Sequence, residues 1–224
     1  MKAFVFALLC VVAAVQARSA DFGGLYRTPA QAGENPWVVH LRVASIPGQG
    51  LLSSCVGSLI SESWVLTSAS CVEGLRFVWI RYGALNPITP ELVTESSQFT
   101  VNEDGNLALI SLNRVTEINE NIAPIALADH EDVPASGKFC GYGAESNVLK
   151  DEELSCFELA METDEDGNIV GTGDELPSPY DLGAPIVSDG VQVGVLNSVN
   201  ENGAVIVNPA KYRDWIESVS GVRV

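Results

Sequence analysis

The chain has 224 residues, of which 46% are apolar and 18% charged, and twelve Lys plus Arg against 29 Asp plus Glu give a net charge of -17. The apolar content excludes wholesale disorder. The acidity, with few basic clusters, argues against nucleic acid or an anionic membrane as partner and reads as solubility in a crowded secretion.

In chain order, Lys2 precedes an apolar run from Ala3 to Val15 and the small residues Ala17 and Ala20. That pattern reads as a secretory signal peptide spanning residues 1–20, cleaved after Ala17 or Ala20. The run is too short to span a bilayer, which takes about 20 apolar residues, and no later run is longer. The expectation is a soluble, secreted, extracellular protein. Cleavage removes Cys10 and leaves Cys55, Cys71, Cys140 and Cys156. In an oxidising compartment two disulfides are expected, and the sequence leaves all three pairings open. Residues 21–224 read as one domain, since all-β barrels commonly reach this size as a unit.

Short apolar runs separated by turn residues follow. Predicted strands are Trp37 to Val43, Leu59 to Ser68, Phe77 to Tyr82, Leu107 to Leu112, Phe139 to Tyr142, Leu154 to Met161, Val191 to Leu196 and Ala204 to Val207. The stretches 102–106, 164–168 and 200–203 are rich in Asn, Asp and Gly, which tolerate left-handed backbone, and read as loop tips. The last segment reads as a helix: Asn208 caps, Pro209 fits the first position, and Tyr212, Trp215, Ile216 and Val219 share one face.

Acyl transfer through a hydroxyl needs a base near pH 7 and a group that orients the base. The chain has two histidines. His40 falls in a predicted strand and His130 in an acidic loop, so both read as packed or solvated residues. Three stretches nevertheless stand in a telling order: Thr67-Ser-Ala-Ser-Cys71, Asn106-Leu-Ala-Leu-Ile110 and Tyr180-Asp-Leu-Gly-Ala-Pro185. From about Gly24 to the C-terminus the chain resembles a chymotrypsin-like (trypsin family, peptidase S1) serine protease, whose corresponding motifs are TAAHC, DIALL and GDSGGP. Its signal-peptide style and degenerate motifs resemble those of insect secreted homologues.

The resemblance implies two six-stranded antiparallel β-barrels dividing near Ile122, an all-β fold closed by a C-terminal α-helix. It also implies that Ser70 stands at the histidine position, Asn106 at the aspartate position and Leu182 at the nucleophile position. A serine hydroxyl is no base near pH 7. Aspartate to asparagine, with geometry kept, lowers turnover about 10⁴-fold in serine proteases. Leucine offers no nucleophile. Tyr180 replaces the glycine whose N–H lines the oxyanion hole, and Asn197, Ser198 and Val199 stand where the substrate-lining SWG segment would be.

Gly24-Leu-Tyr-Arg27 occupies the place of the new N-terminus that the family makes by cleavage, with no Lys or Arg directly before it. Asp181 matches the aspartate that pairs with that terminus, and without the partner its retention is expected to be structural. The resemblance implies a Cys55–Cys71 bridge and, with it, a second between Cys140 and Cys156 in adjacent predicted strands.

Asp164, Asp166, Asn168, Thr172 and Glu175 have calcium-loop spacing, but Ile169 stands where that loop needs glycine and no helices flank it. No zinc-ligand spacing, phosphate-binding glycine loop or Asn-X-Ser/Thr sequon is present. The expectation is therefore a catalytically inactive protease homologue without metal or cofactor. It would bind an extracellular protein, such as a protease or a protease substrate, as regulator, cofactor or decoy. Two alternatives are an active protease with a displaced triad drawn from Ser68, Ser178 and Asp181, and a structural or storage protein.

Overall fold

A computed structural model of the chain describes residues 27–44, 52–114, 116–143 and 152–224. The predicted signal peptide and Gly24 to Tyr26 lie outside the described residues. A two-residue strand, β1 (Thr28–Pro29), comes first. It is followed by β2 (Val38–Ala44), β3 (Leu52–Ser61), β4 (Trp64–Ser68), β5 (Val78–Tyr82), β6 (Leu92–Ser96), β7 (Gln98–Asn102) and β8 (Leu107–Ser111). β2 to β8 form one antiparallel sheet in the order β6-β5-β2-β3-β4-β8-β7.

Ser97 alone separates β6 from β7, which pair with β5 and β8 at opposite edges. One bent strand thus closes the ring, and the barrel has six strands counted that way. The bend is stitched locally, as Ser96 Oγ donates to Ser111 O at 2.5 Å and accepts from Gln98 N at 3.1 Å.

The second barrel comprises β9 (Ser136–Gly141), β10 (Ser155–Thr163), β11 (Ile169–Thr172), β12 (Pro185–Ser188), β13 (Val191–Asn200) and β14 (Gly203–Val207). They run β9-β10-β11-β14-β13-β12 and back to β9, while β1 adds to β10 outside the ring. The two six-stranded barrels expected from the resemblance are present. The loop tips predicted at 102–106, 164–168 and 200–203 connect β7 to β8, β10 to β11 and β13 to β14.

Leu59 to Ser68 is not one strand. β3 ends at Ser61, Glu62 and Ser63 turn the chain, and β4 starts at Trp64, with a register shift between Leu59 and Ser61. The apolar run continues across the turn because both strands are buried on both faces, which removes the polar alternation that marks a boundary. β8 shows the same double burial. Ala108 and Ile110 face the first barrel's core, whereas Leu107 and Leu109 face outward under the C-terminal segment.

That segment is a 3-10 turn (Pro209–Tyr212) leading into α1 (Arg213–Ser220). Asn208 Oδ1 accepts from Ala210 N at 2.8 Å, and Pro209 follows where no N–H is needed. The predicted stripe of Tyr212, Trp215, Ile216 and Val219 packs with Leu66, Leu107 and Leu109. Gly221, in left-handed conformation at φ 71°, ends the helix. The N-terminal strand therefore lies on the second barrel and the C-terminal helix on the first.

Both bridges form as expected, Cys55–Cys71 with Cα atoms 6.1 Å apart and Cys140–Cys156 at 4.2 Å. The second joins residues directly opposed in β9 and β10.

Candidate functional site

The site is assembled where β4 turns into a 3-10 segment (Ala69–Cys71), β8 begins, and the 178–183 turn reaches across from the second barrel. Ser70 is exposed at the tip of the 3-10 turn, fixed beside the Cys55–Cys71 bridge. Its Oγ lies 2.8 Å from the buried Ser68 Oγ, which lies 3.0 Å from Asn197 Oδ1. Asn106 Nδ2 donates to the same Oδ1, and Asn197 Nδ2 lies 3.4 Å from Gly105 O. Asn106 adopts φ 46°, a left-handed conformation that asparagine tolerates.

A hydroxyl carries one proton. With Ser68 donating to Asn197 Oδ1, Ser70 is the donor to Ser68. The result is a chain of four neutral side chains, Ser70, Ser68, Asn197 and Asn106. The structure brings Ser70 and Asn106 together through Ser68 and Asn197, two partners that the motif positions alone do not reveal.

Leu182 is half-buried and packs against the cores of both barrels. Its carbonyl accepts from Val56 N at 2.9 Å and lies 3.3 Å from Cys71 Sγ, which places it beside the Ser70 turn. Gly183 makes this approach possible. Its φ is 85°, and a Cβ there would stand 2.0 Å from Thr67 Oγ1 and 2.3 Å from Val56 O.

Tyr180 N donates to Ser178 Oγ at 3.1 Å, so the amide that the resemblance assigns to an oxyanion hole is engaged within its own turn. Asn197 sits at the register shift between Leu196 and Ser198 in β13. Ser198 is exposed and opposes Val205, and Val199 packs against the second core.

Neither histidine reaches this network. His130 is exposed, with Nδ1 3.9 Å from Asp132 Oδ2. His40 is fully buried in β2, its Nε2 2.8 Å from Glu152 Oε2, which the Nε2–H tautomer satisfies. Ser54 Oγ accepts from Arg42 Nη1 at 2.9 Å and donates to Glu152 Oε1 at 3.1 Å, and the Tyr142 ring meets His40 edge-on at 4.9 Å. Burial pushes the imidazole below its usual range, against the opposite pull of Glu152. Sequence reading missed Glu152, since one acidic residue in the run Asp151-Glu-Glu153 carries no sign of burial.

Among the described residues, no cluster of three or more His, Cys, Asp or Glu is placed to hold a metal. The calcium-like spacing resolves into other roles. Asp164 accepts from the backbone amides of Asp166 and Asn168 in the β10–β11 turn, and Glu175 pairs with Arg27.

The family model described as Trypsin matches residues 26–216. The chain belongs to the trypsin family. Within that family it is 27% identical over 203 residues to brachyurin of Leptuca pugilator, covering 75% of this chain and 88% of that protein. It is 27% identical over 140 residues to vitamin K-dependent protein C of Mus musculus, where the match takes in 55% of this chain but only 29% of that longer protein. Among solved structures, the scabies mite inactivated protease paralogue S-I1 superposes with a TM-score of 0.75 at 21% identity, over 87% of this chain and 98% of that one. This establishes a shared fold.

Proposed function

We propose that this trypsin-family chain is a secreted pseudoprotease that acts by binding another extracellular protein, as regulator, cofactor or decoy in a protease cascade. The observation that carries the reading is the neutral chain of Ser70, Ser68, Asn197 and Asn106. Attack by a hydroxyl near neutral pH requires a base to take its proton, and here each hydroxyl proton faces only another hydroxyl or an amide oxygen. Leu182, at the nucleophile position, contributes packing instead of chemistry.

The displaced-triad alternative gains little. Asp181 faces backbone amides and Arg27, and Ser178 Oγ accepts from Tyr180 N. Secretion is supported by the pattern of residues 1–20 and by two disulfides, which persist in oxidising compartments. The same reading places the chain with insect secreted homologues, on the style of its first residues and its degenerate motifs. The fold accommodates such a role, being shared with a scabies mite protein described as inactivated. Recognition by surface loops on a rigid double barrel needs no catalytic centre.

Treatment of the purified protein with a serine-directed fluorophosphonate, read by intact mass, is expected to give no adduct. Stoichiometric labelling that maps to Ser68 or Ser178 would sink the proposal.

A further inference from the structure

Asp181 is fully buried, and three backbone amides donate to its carboxylate: Tyr142 N at 2.7 Å, Gly143 N at 3.2 Å and Ser178 N at 3.2 Å. Two of these amides follow β9 and the third lies in the 178–183 turn, so the carboxylate ties that turn to the barrel. Amides alone leave a buried negative charge without a counter-ion, which is costly in a low-dielectric interior.

The cation comes from Arg27. Its Nη1 lies 3.7 Å from Asp181 Oδ2, its Nε donates to Glu175 Oε1 at 2.6 Å, and its Nη2 donates to Leu176 O at 3.1 Å. The rings of Phe157 and Phe139 stand 5.1 and 6.0 Å from the guanidinium carbon, within cation–π range. Gly143, at φ 62°, keeps the space open, since a Cβ there would approach Nη1 to 2.9 Å. β1 begins at the next residue, and the pairing of Thr28 with Cys156 sets where Arg27 enters. Each neighbour of the guanidinium thus fits a fixed cation.

We infer that Arg27 is the built-in counter-ion of the Asp181 turn, a positioning residue that holds residues 178–183 in order from within the continuous chain, with no cut amino terminus required. Tyr180 and Leu182 flank Asp181, so Arg27 acts on the candidate site through it. The inference stands whether or not the chain is catalytic. Glu175 shares the guanidinium from a more exposed position, with 35% of its side chain accessible, and water can replace it.

The test is hydrogen exchange by NMR on the full secreted chain, confirmed uncut by intact mass, and on Arg27→Gln, Arg27→Lys, Glu175→Gln and the double variant Arg27→Gln/Asp181→Asn. Arg27→Gln is expected to lower protection at least tenfold at the amides of Tyr142, Gly143 and Ser178, with Val39 and Leu109 in the first barrel unchanged. The lysine variant should retain part of the protection and Glu175→Gln most of it. The double variant should recover stability relative to Arg27→Gln, because the unpaired charge is gone. Full protection in Arg27→Gln would overturn the inference. If Arg27→Gln fails to fold, a folded double variant supports the inference and an equally unfolded one overturns it.

Discussion

At Leu182, which the resemblance assigns to the nucleophile position, one side chain serves two cores, lying half-buried between the barrels. Leu182→Ser exchanges that packing for a hydroxyl, and a loss of about 2 kcal/mol is expected, readable as a lowered midpoint in urea. Ser70→His, Asn106→Asp and Leu182→Ser combined should still give almost no peptidase turnover, because the Tyr180 amide remains bound to Ser178 Oγ. Robust turnover in that variant would show that the oxyanion geometry is intact. Ser70, Asn106 and Leu182 could be singled out in the sequence because they sit inside ordered motifs. Asn197 as partner of Ser68, Glu152 as partner of His40 and Arg27 as partner of Asp181 were not, since each pair joins residues more than a hundred positions apart and no local pattern marks it.

At the scale of elements, sequence signals worked where chemistry punctuates the chain. The Asn, Asp and Gly tips mark hairpins, and Asn208-Pro209 marks the start of the terminal helix. They failed where burial is two-sided, as between β3 and β4, and where strands are half-exposed and polar, as in β6 and β7. Removing the cap by Asn208→Ala should cost about 1 kcal/mol, measured by chemical denaturation. Removing the β9–β10 bridge by Cys140→Ala/Cys156→Ala should cost about 3 kcal/mol in the chain-entropy account, with the fold kept by the six-stranded ring.

At the scale of the whole molecule, the two barrels are joined by Leu182 and by a polar seam. There Glu152, from the segment leading into β10, reaches His40 of β2 and Ser54 of β3, with Arg42 of β2, Arg81 of β5 and Tyr142 after β9 around it. Because burial holds the folded His40 below its unfolded pKa of about 6.5, the unfolded chain takes up a proton that the folded chain refuses. The contribution of this group is complete above that pH and is lost as pH falls below it. Arg42 and Arg81 work in the same direction, and Glu152 opposes them. The His40 contribution should therefore lower denaturation midpoints as pH falls below about 6.5, and His40→Gln should flatten that slope.

The central claim is that a trypsin-family double barrel has been kept while its reacting groups were replaced by a neutral network. Its most direct test is turnover of a broad fluorogenic peptide library by the purified, correctly disulfide-bonded protein. The account predicts no hydrolysis above the buffer rate for any sequence in the library. Hydrolysis that persists through repurification and is abolished by a single substitution, such as Ser68→Ala, would contradict it.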